Sequence, residues 1–197
     1  AKKVFIFDYF LKSEPIPIKR QGYSEILKYA LLGSKNLYKS LINKKNEDRK
    51  KIFSKTIIIR DKIRKIHPLI SNLGHTYAHA LEGIIKIGHG DSVSLGIMFE
   101  AFVAFQMKII NEKLYYQILS AISRLNLYSK FPKKINHKKL LDLMLKDKKS
   151  KNNKIGFVFI KKIGQISFPK KSKGELFYQL DSKDVQYYLK KFYEQNI

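Results

Sequence analysis

Residues 93–110, VSLGIMFEAFVAFQMKII, are almost wholly apolar and far too long for a strand. They read as one long helix, and that element commits the chain to a helical fold. Polar residues interrupt the run, so neither it nor any other stretch approaches the roughly 18 consecutive apolar residues of a membrane-spanning helix. Before it, the pattern becomes helical at Gly22, with Ser24 as N-cap and Gly33 as the end, while Pro15 and Pro17 are expected to prevent any earlier helix. One or two amphipathic helices fill 36–66, Pro68 interrupts, and GHTYAHALEGIIKIG over 74–88 reads as a helix. Two more helices are expected between 112 and 147, and a last one over DSKDVQYYLKKFYEQ, capped by Asp181 or Ser182. KIGFVFIKKIGQISF alternates like a strand pair turning near Lys161–Gly164.

The opening AKKVFIFDYFL has a basic start and an apolar run. Asp8 breaks that run and no small-residue cleavage site follows, so it reads as a buried strand entering a turn and not as a signal peptide. A soluble, cytoplasmic protein is the expectation. The expected fold is mainly α: a multihelical domain with a small antiparallel β-hairpin and a short N-terminal strand.

With 44% hydrophobic residues among 197, the chain can bury a sizeable core. It has no cysteine, which leaves any metal to His, Asp and Glu. Forty Lys and Arg against 16 Asp and Glu give a formal charge of +24. A polyanion partner such as nucleic acid is one reading. The lysines are scattered through every segment, though, and Ile, Asn, Tyr and Phe are abundant too, which is the composition of AT-rich codons. Codon bias is the preferred reading.

Two histidine motifs carry the chemistry. His75 and His79 are four apart, so on a helix both rings leave one face, with Glu82 further along the same stripe. A histidine pair of this spacing presents two imidazoles to a metal about as often as it sits idly on a surface or in a core. Gly74 before the first histidine permits close backbone approach. His89-Gly90-Asp91 then follows in a turn bounded by Gly88. Glu25 and Lys28, three apart, share a face of an otherwise apolar helix; by spacing alone they are a surface ion pair.

Together these segments resemble 3-dehydroquinate synthases. Asn72-Leu73-Gly74-His75-Thr76-Tyr77-Ala78-His79-Ala80-Leu81-Glu82 is similar to the family's N-x-G-H-T-x-x-H-A-x-E signature. His89-Gly90-Asp91-Ser92-Val93 with Gly96 resembles H-G-[ED]-x-V-x-x-G, and Gly22 to Lys28 resembles G-x-x-E-x-x-K. Asp147-Lys148-Lys149 and the strands ending in Ile163-Gly164 resemble its D-K-K and I-G segments.

The resemblance implies that Glu25, His75 and His89 are ligands of one catalytic zinc or cobalt ion. It implies His79 as an acid/base residue, and Lys28, Asn72 and Lys148 as substrate contacts, with Lys149 a near-equal candidate for the last. Arg60 stands where the family has a lysine. The implied reaction is the NAD-dependent, phosphate-eliminating cyclisation of 3-deoxy-arabino-heptulosonate 7-phosphate, with dimerisation also implied. Residues 1–21 would then be the end of an NAD-binding α/β domain, and residues 22–197 the metal- and substrate-binding domain. NAD would be held mainly by a domain outside this chain, since no Gly-rich phosphate loop follows a strand in it. One departure is local: the segment before Asn72 is shortened, and an arginine of the family pattern goes with it. The alternatives are a sister sugar-phosphate cyclase and, in a different class, a basic helical nucleic-acid-binding module.

Overall fold

A computed structural model describes residues 5, 7, 9, 13–43, 49–170 and 174–196. The first helix, α1, spans Ile16–Gly33 and starts earlier than expected. Pro15 caps it and Pro17 occupies its first turn, where a proline's missing N–H would have no helical partner and its fixed φ suits the helix. The prolines start the helix and do not forestall it. Ser24 is therefore a buried residue of its interior and not a cap. Gly33 ends α1 as expected.

The amphipathic stretch that follows is two helices, α2 (Lys35–Asn43) and α3 (Arg49–Ile66), and Pro68–Ser71 forms a 3-10 turn. α4 (His75–Glu82) is shorter than the sequence suggests, because turns replace helix from Gly83 onward. α5 (His89–Gln106) begins at His89 itself, so the His-Gly-Asp motif is the first turn of a helix and not a loop. α6 (Glu112–Arg124) and α7 (His137–Leu145) are capped by the side chains of Asn111 and Asn136. α8 (Ser182–Asn196) closes the chain.

The strand run divides between two small sheets. β1 (Lys154–Phe157) pairs antiparallel with β4 (Tyr178–Asp181), a strand the sequence did not suggest. β2 (Phe159–Lys162) and β3 (Gln165–Ser167) form the expected hairpin. The Gly164 N–H donates to Leu31 O at 2.8 Å, tying this hairpin to the end of α1. The strand expected over VFIFD lies outside the described residues, apart from the exposed Phe5 and Phe7.

α5 is the spine of the domain. Every residue from Gly90 to Ala104 is buried, with α1, α4, α6 and α8 packed around it. Phe99, Phe102 and Phe192 meet there with centroids 5.2–5.4 Å apart for the pairs involving Phe192, and Phe157 adds a further ring. Each such side chain contributes about 1.5–3 kcal/mol through burial, so the site below rests on a rigid floor. Among the described residues, no helix is long and apolar enough to cross a membrane.

Candidate metal centre

Three helices bring their polar residues to one point. Glu25 projects from the middle of α1, His75 opens α4 and His89 opens α5. α1 and α5 are clamped beside the site by Arg20, whose Nε and Nη2 donate to the two carboxylate oxygens of Asp91 at 3.2 and 3.1 Å. One oxygen of Glu25, Oε1, lies 3.6 Å from His75 Nε2 and 3.8 Å from His89 Nε2. These three side chains are the only group of its kind among the described residues, each offering one donor atom within 4.8 Å of the others.

The hydrogen bonds fix which ring atoms are free. His75 Nδ1 lies 3.1 Å from Leu73 O, and His89 Nδ1 lies 2.9 Å from Glu82 Oε1. Carbonyl and carboxylate oxygens only accept, so each Nδ1 carries the proton and each Nε2 presents a lone pair. Ser92 Oγ donates to the same Glu82 oxygen and holds that carboxylate in place. Burial, and then the charge of Lys28, lowers His75 from 6.5 to about 2, so its ring is neutral, the state a metal ligand requires.

Glu25 divides its oxygens. Oε2 accepts from Lys28 Nζ at 2.6 Å, whereas Oε1 is buried and has no hydrogen-bond partner. A buried carboxylate oxygen facing two imidazole lone pairs is unfavourable without a cation between them. Tetrahedral zinc with bonds near 2.1 Å would need donors about 3.4 Å apart, close to the 3.6 and 3.8 Å found. One carboxylate and two neutral imidazoles suit Zn²⁺ or Co²⁺. The residues fit the ion.

The other expected site residues surround this point. His79 is exposed, 5.2 Å from the His75 ring and stacked 6.3 Å from that of His89, with Nδ1 3.4 Å from Asp147 Oδ2. Lys28 is buried, which lowers its pKa, and the charges of Arg60 and Lys149 act on it in the same direction. Arg60 is exposed beside Asp61 and approaches the Tyr29 hydroxyl. Asn72 is half-buried, and its carbonyl receives the His75 N–H at 3.1 Å.

The lysine pair is a correction: Lys148, expected to point inward, is exposed, while Lys149 is buried with Nζ 2.6 Å from Asp147 Oδ1. The tight turn after α7 directs only one of two consecutive side chains inward. Asp147 thus serves His79 and Lys149 together; burial alone would raise its pKa, but the hydrogen bonds from both hold it below the usual carboxylate range. Sequence reading placed Glu82 on the His75 stripe without seeing its bond to His89, and Arg20 gave no signal.

Two expectations arise here. Removing the Glu82 carboxylate, as in Glu82→Ala, should weaken divalent-ion binding roughly ten- to hundredfold by titration calorimetry, because the His89 ring would lose the partner that orients it. The second concerns pH. Burial pushes the Glu100 carboxyl from 4.5 up to about 8, so the folded chain keeps a proton over that range that the unfolded chain has lost. Stability from this group is full below pH 4.5 and declines as pH rises toward 8. His75 has the opposite sign: below 6.5 the unfolded chain binds a proton that the folded chain refuses, so stability declines as pH falls. The two slopes oppose each other between pH 4.5 and 6.5. Metal-free protein should be most stable there by urea unfolding, and Glu100→Gln should flatten the alkaline arm.

Comparison with known proteins agrees with this architecture. The family model described as 3-dehydroquinate synthase C-terminal matches residues 22–150. The chain is 32% identical over 174 residues to the 3-dehydroquinate synthase of Bacillus cereus (strain G9842), an overlap of 80% of this chain and 48% of that protein. It is 29% identical over 162 residues to that of Coxiella burnetii (strain Dugway 5J108-111), covering 74% of this chain and 45% of that protein. The chain thus spans about half the length of the curated relatives it matches. Among solved structures, a 2-deoxy-scyllo-inosose synthase complexed with carbaglucose-6-phosphate, NAD+ and Co2+ superposes with TM-score 0.72 at 16% identity, covering 94% of this chain and 54% of that one. A 2-epi-5-epi-valiolone synthase from Streptomyces hygroscopicus subsp. jinggangensis 5008, with NAD+ and Zn2+ bound, gives TM-score 0.74, also at 16% identity and with the same coverage. At that identity the likeness is one of fold.

Proposed function

The chain belongs to the 3-dehydroquinate synthase C-terminal family, and from that premise we propose that it is the metal- and substrate-binding half of such an enzyme, acting on 3-deoxy-arabino-heptulosonate 7-phosphate. NAD would be bound mainly by residues outside this chain; the relatives are about twice as long. The reading is carried by the buried, unbonded Oε1 of Glu25 set against two imidazole lone pairs.

Glu25, His75 and His89 would hold one Zn²⁺ or Co²⁺, whose Lewis acidity, when bound, lowers the pKa of a substrate hydroxyl. The two solved cyclases carry Co2+ and Zn2+ in the same fold. His79, exposed and anchored through Nδ1 by Asp147, leaves Nε2 to take or relay the hydroxyl proton. Lys28, Lys149 and Arg60, near enough for the charges of the last two to act on the first, would meet the substrate's phosphate and carboxylate, with Lys149 in place of Lys148. Asn72, at the entry to α4, offers its amide to substrate hydroxyls.

The test is direct. Purified chain exposed to excess zinc or cobalt and then cleared of loose metal should retain one ion. Supplied with a nicotinamide-binding half in trans, it should release inorganic phosphate from the heptulosonate phosphate. Release from a different phosphorylated ketose alone would make it a sister cyclase. Nucleic-acid binding with a steep salt slope and no retained metal would defeat the enzyme reading.

A further inference from the structure

α4 carries two histidines of the centre, yet its start lacks the usual support. Its N-cap is Gly74, in the left-handed region at φ +81°, with no side chain to bond the first N–H groups and no acid in the first turn. The cap comes from another helix. Glu100 of α5 is fully buried, and its Oε2 accepts the Gly74 N–H at 2.8 Å. The Thr76 N–H is directed at the same carboxyl.

Glu100 and Gly96 are one helical turn apart on α5 and so face the same way. A Cβ on Gly96 would lie 1.9 Å from Gly74 O, so α5 meets this turn backbone to backbone there. Gly96 allows the approach and Glu100 fastens it. Gly74 stands between Leu73, whose carbonyl orients the His75 ring, and His75 itself. Displacing the Gly74 turn would therefore move both the origin and the tilt of that imidazole. The other Glu100 oxygen has no hydrogen-bond partner among the described residues, so this carboxyl spends its hydrogen bonding on the turn.

Resting on the metal reading above, we infer that Glu100 is a positioning residue of the metal centre, acting through the turn that delivers His75. Being one layer behind the donors, it sets their geometry without touching the ion.

The experiment is a titration of zinc and cobalt into wild type, Glu100→Gln, Glu100→Met, Glu100→Asp and a matched destabilised control, Leu37→Ala, in the core of α2. Glu100→Met removes the acceptor at similar length and should weaken binding about 10–100-fold, with an altered Co²⁺ absorption spectrum. Glu100→Gln keeps an acceptor oxygen and should restore affinity and spectrum to near wild type. Glu100→Asp, which withdraws the carboxyl by one methylene, should fall between them, and it decides the matter if Glu100→Met does not fold. Leu37→Ala should lose melting temperature but not metal affinity. Equal affinity and identical cobalt spectra across the Glu100 series overturn the inference and leave the metal site standing. A wild-type chain that takes up no ion overturns the metal reading, and the inference with it.

Discussion

Glu25→Ala is expected to abolish retention of zinc or cobalt. The loss should exceed the roughly 10–100-fold that follows removal of an outer partner such as Glu82, because Glu25 supplies the only negative charge in the donor set. Without it, two imidazoles alone would have to hold a divalent cation, with no anionic donor to offset its charge. Lys28 would also lose the 2.6 Å partner that compensates its burial. Its pKa is already lowered by burial, so it can meet that loss by shedding its proton, and the fold should survive. Glu25→Gln, which keeps the shape and loses the charge, should bind between wild type and Glu25→Ala. Metal analysis after desalting, with the melting temperature of each apo form, separates lost affinity from lost structure. Full ion occupancy in Glu25→Ala would exclude the proposed centre.

Gly96→Ala should be the most damaging small substitution in the domain. The added methyl would sit 1.9 Å from Gly74 O and 2.8 Å from its carbonyl carbon, and backbone cannot swing aside as a side chain can. Nor can Gly74 retreat easily: even a Cβ added to it would crowd Ile97 N at 2.9 Å and Val93 O at 3.1 Å, so α5 backbone lies close on that side too. α4 and α5 would have to separate. Overpacking of this kind costs about 3 kcal/mol or more, a fall of roughly 6–12 °C in melting temperature for a domain of this size. Metal affinity should drop as well, since the displaced turn carries His75. Gly22→Ala in α1 is the control: a Cβ there meets nothing within 4 Å, and removing a helix-interior glycine should hold or raise the melting temperature. An unchanged melting temperature in Gly96→Ala would mean that the two helices are not in backbone contact.

Much of this was legible in the residues because the signals were local. Apolar periodicity located every helix from 22 onward, and Gly33 marked the end of α1. What escaped depended on partners distant in the chain or on a choice between two local readings. Pro15 and Pro17 read locally as breakers, yet a proline suits a helix's first turn as well as it suits a loop. His89-Gly90-Asp91 looked like a turn because it is short and glycine-rich. Gly90 is there for another reason: a Cβ on it would strike the backbone of Gln21 at 2.3 Å, so this glycine lets α1 press against α5. β4 carries only weak alternation, and its pairing with β1 is set by contact across more than twenty residues. Lys148 and Lys149 are chemically identical, and only the turn after α7 tells them apart. For Glu25, His75 and His89 the identity came from motif resemblance, while their convergence, the tautomers and the Glu82 support required three helices in space.

The donors of this centre all ride on helices, and those helices are held together by apolar packing that owes nothing to a cation. The loss of chain freedom needed to gather the donors is thus incurred during folding and not when the ion arrives. A zinc finger, by contrast, condenses around its metal and collapses without it. Here a chelator should empty a seat that keeps its shape, and uptake should be governed by dehydration of the incoming ion, with no ordering of the polypeptide to slow it.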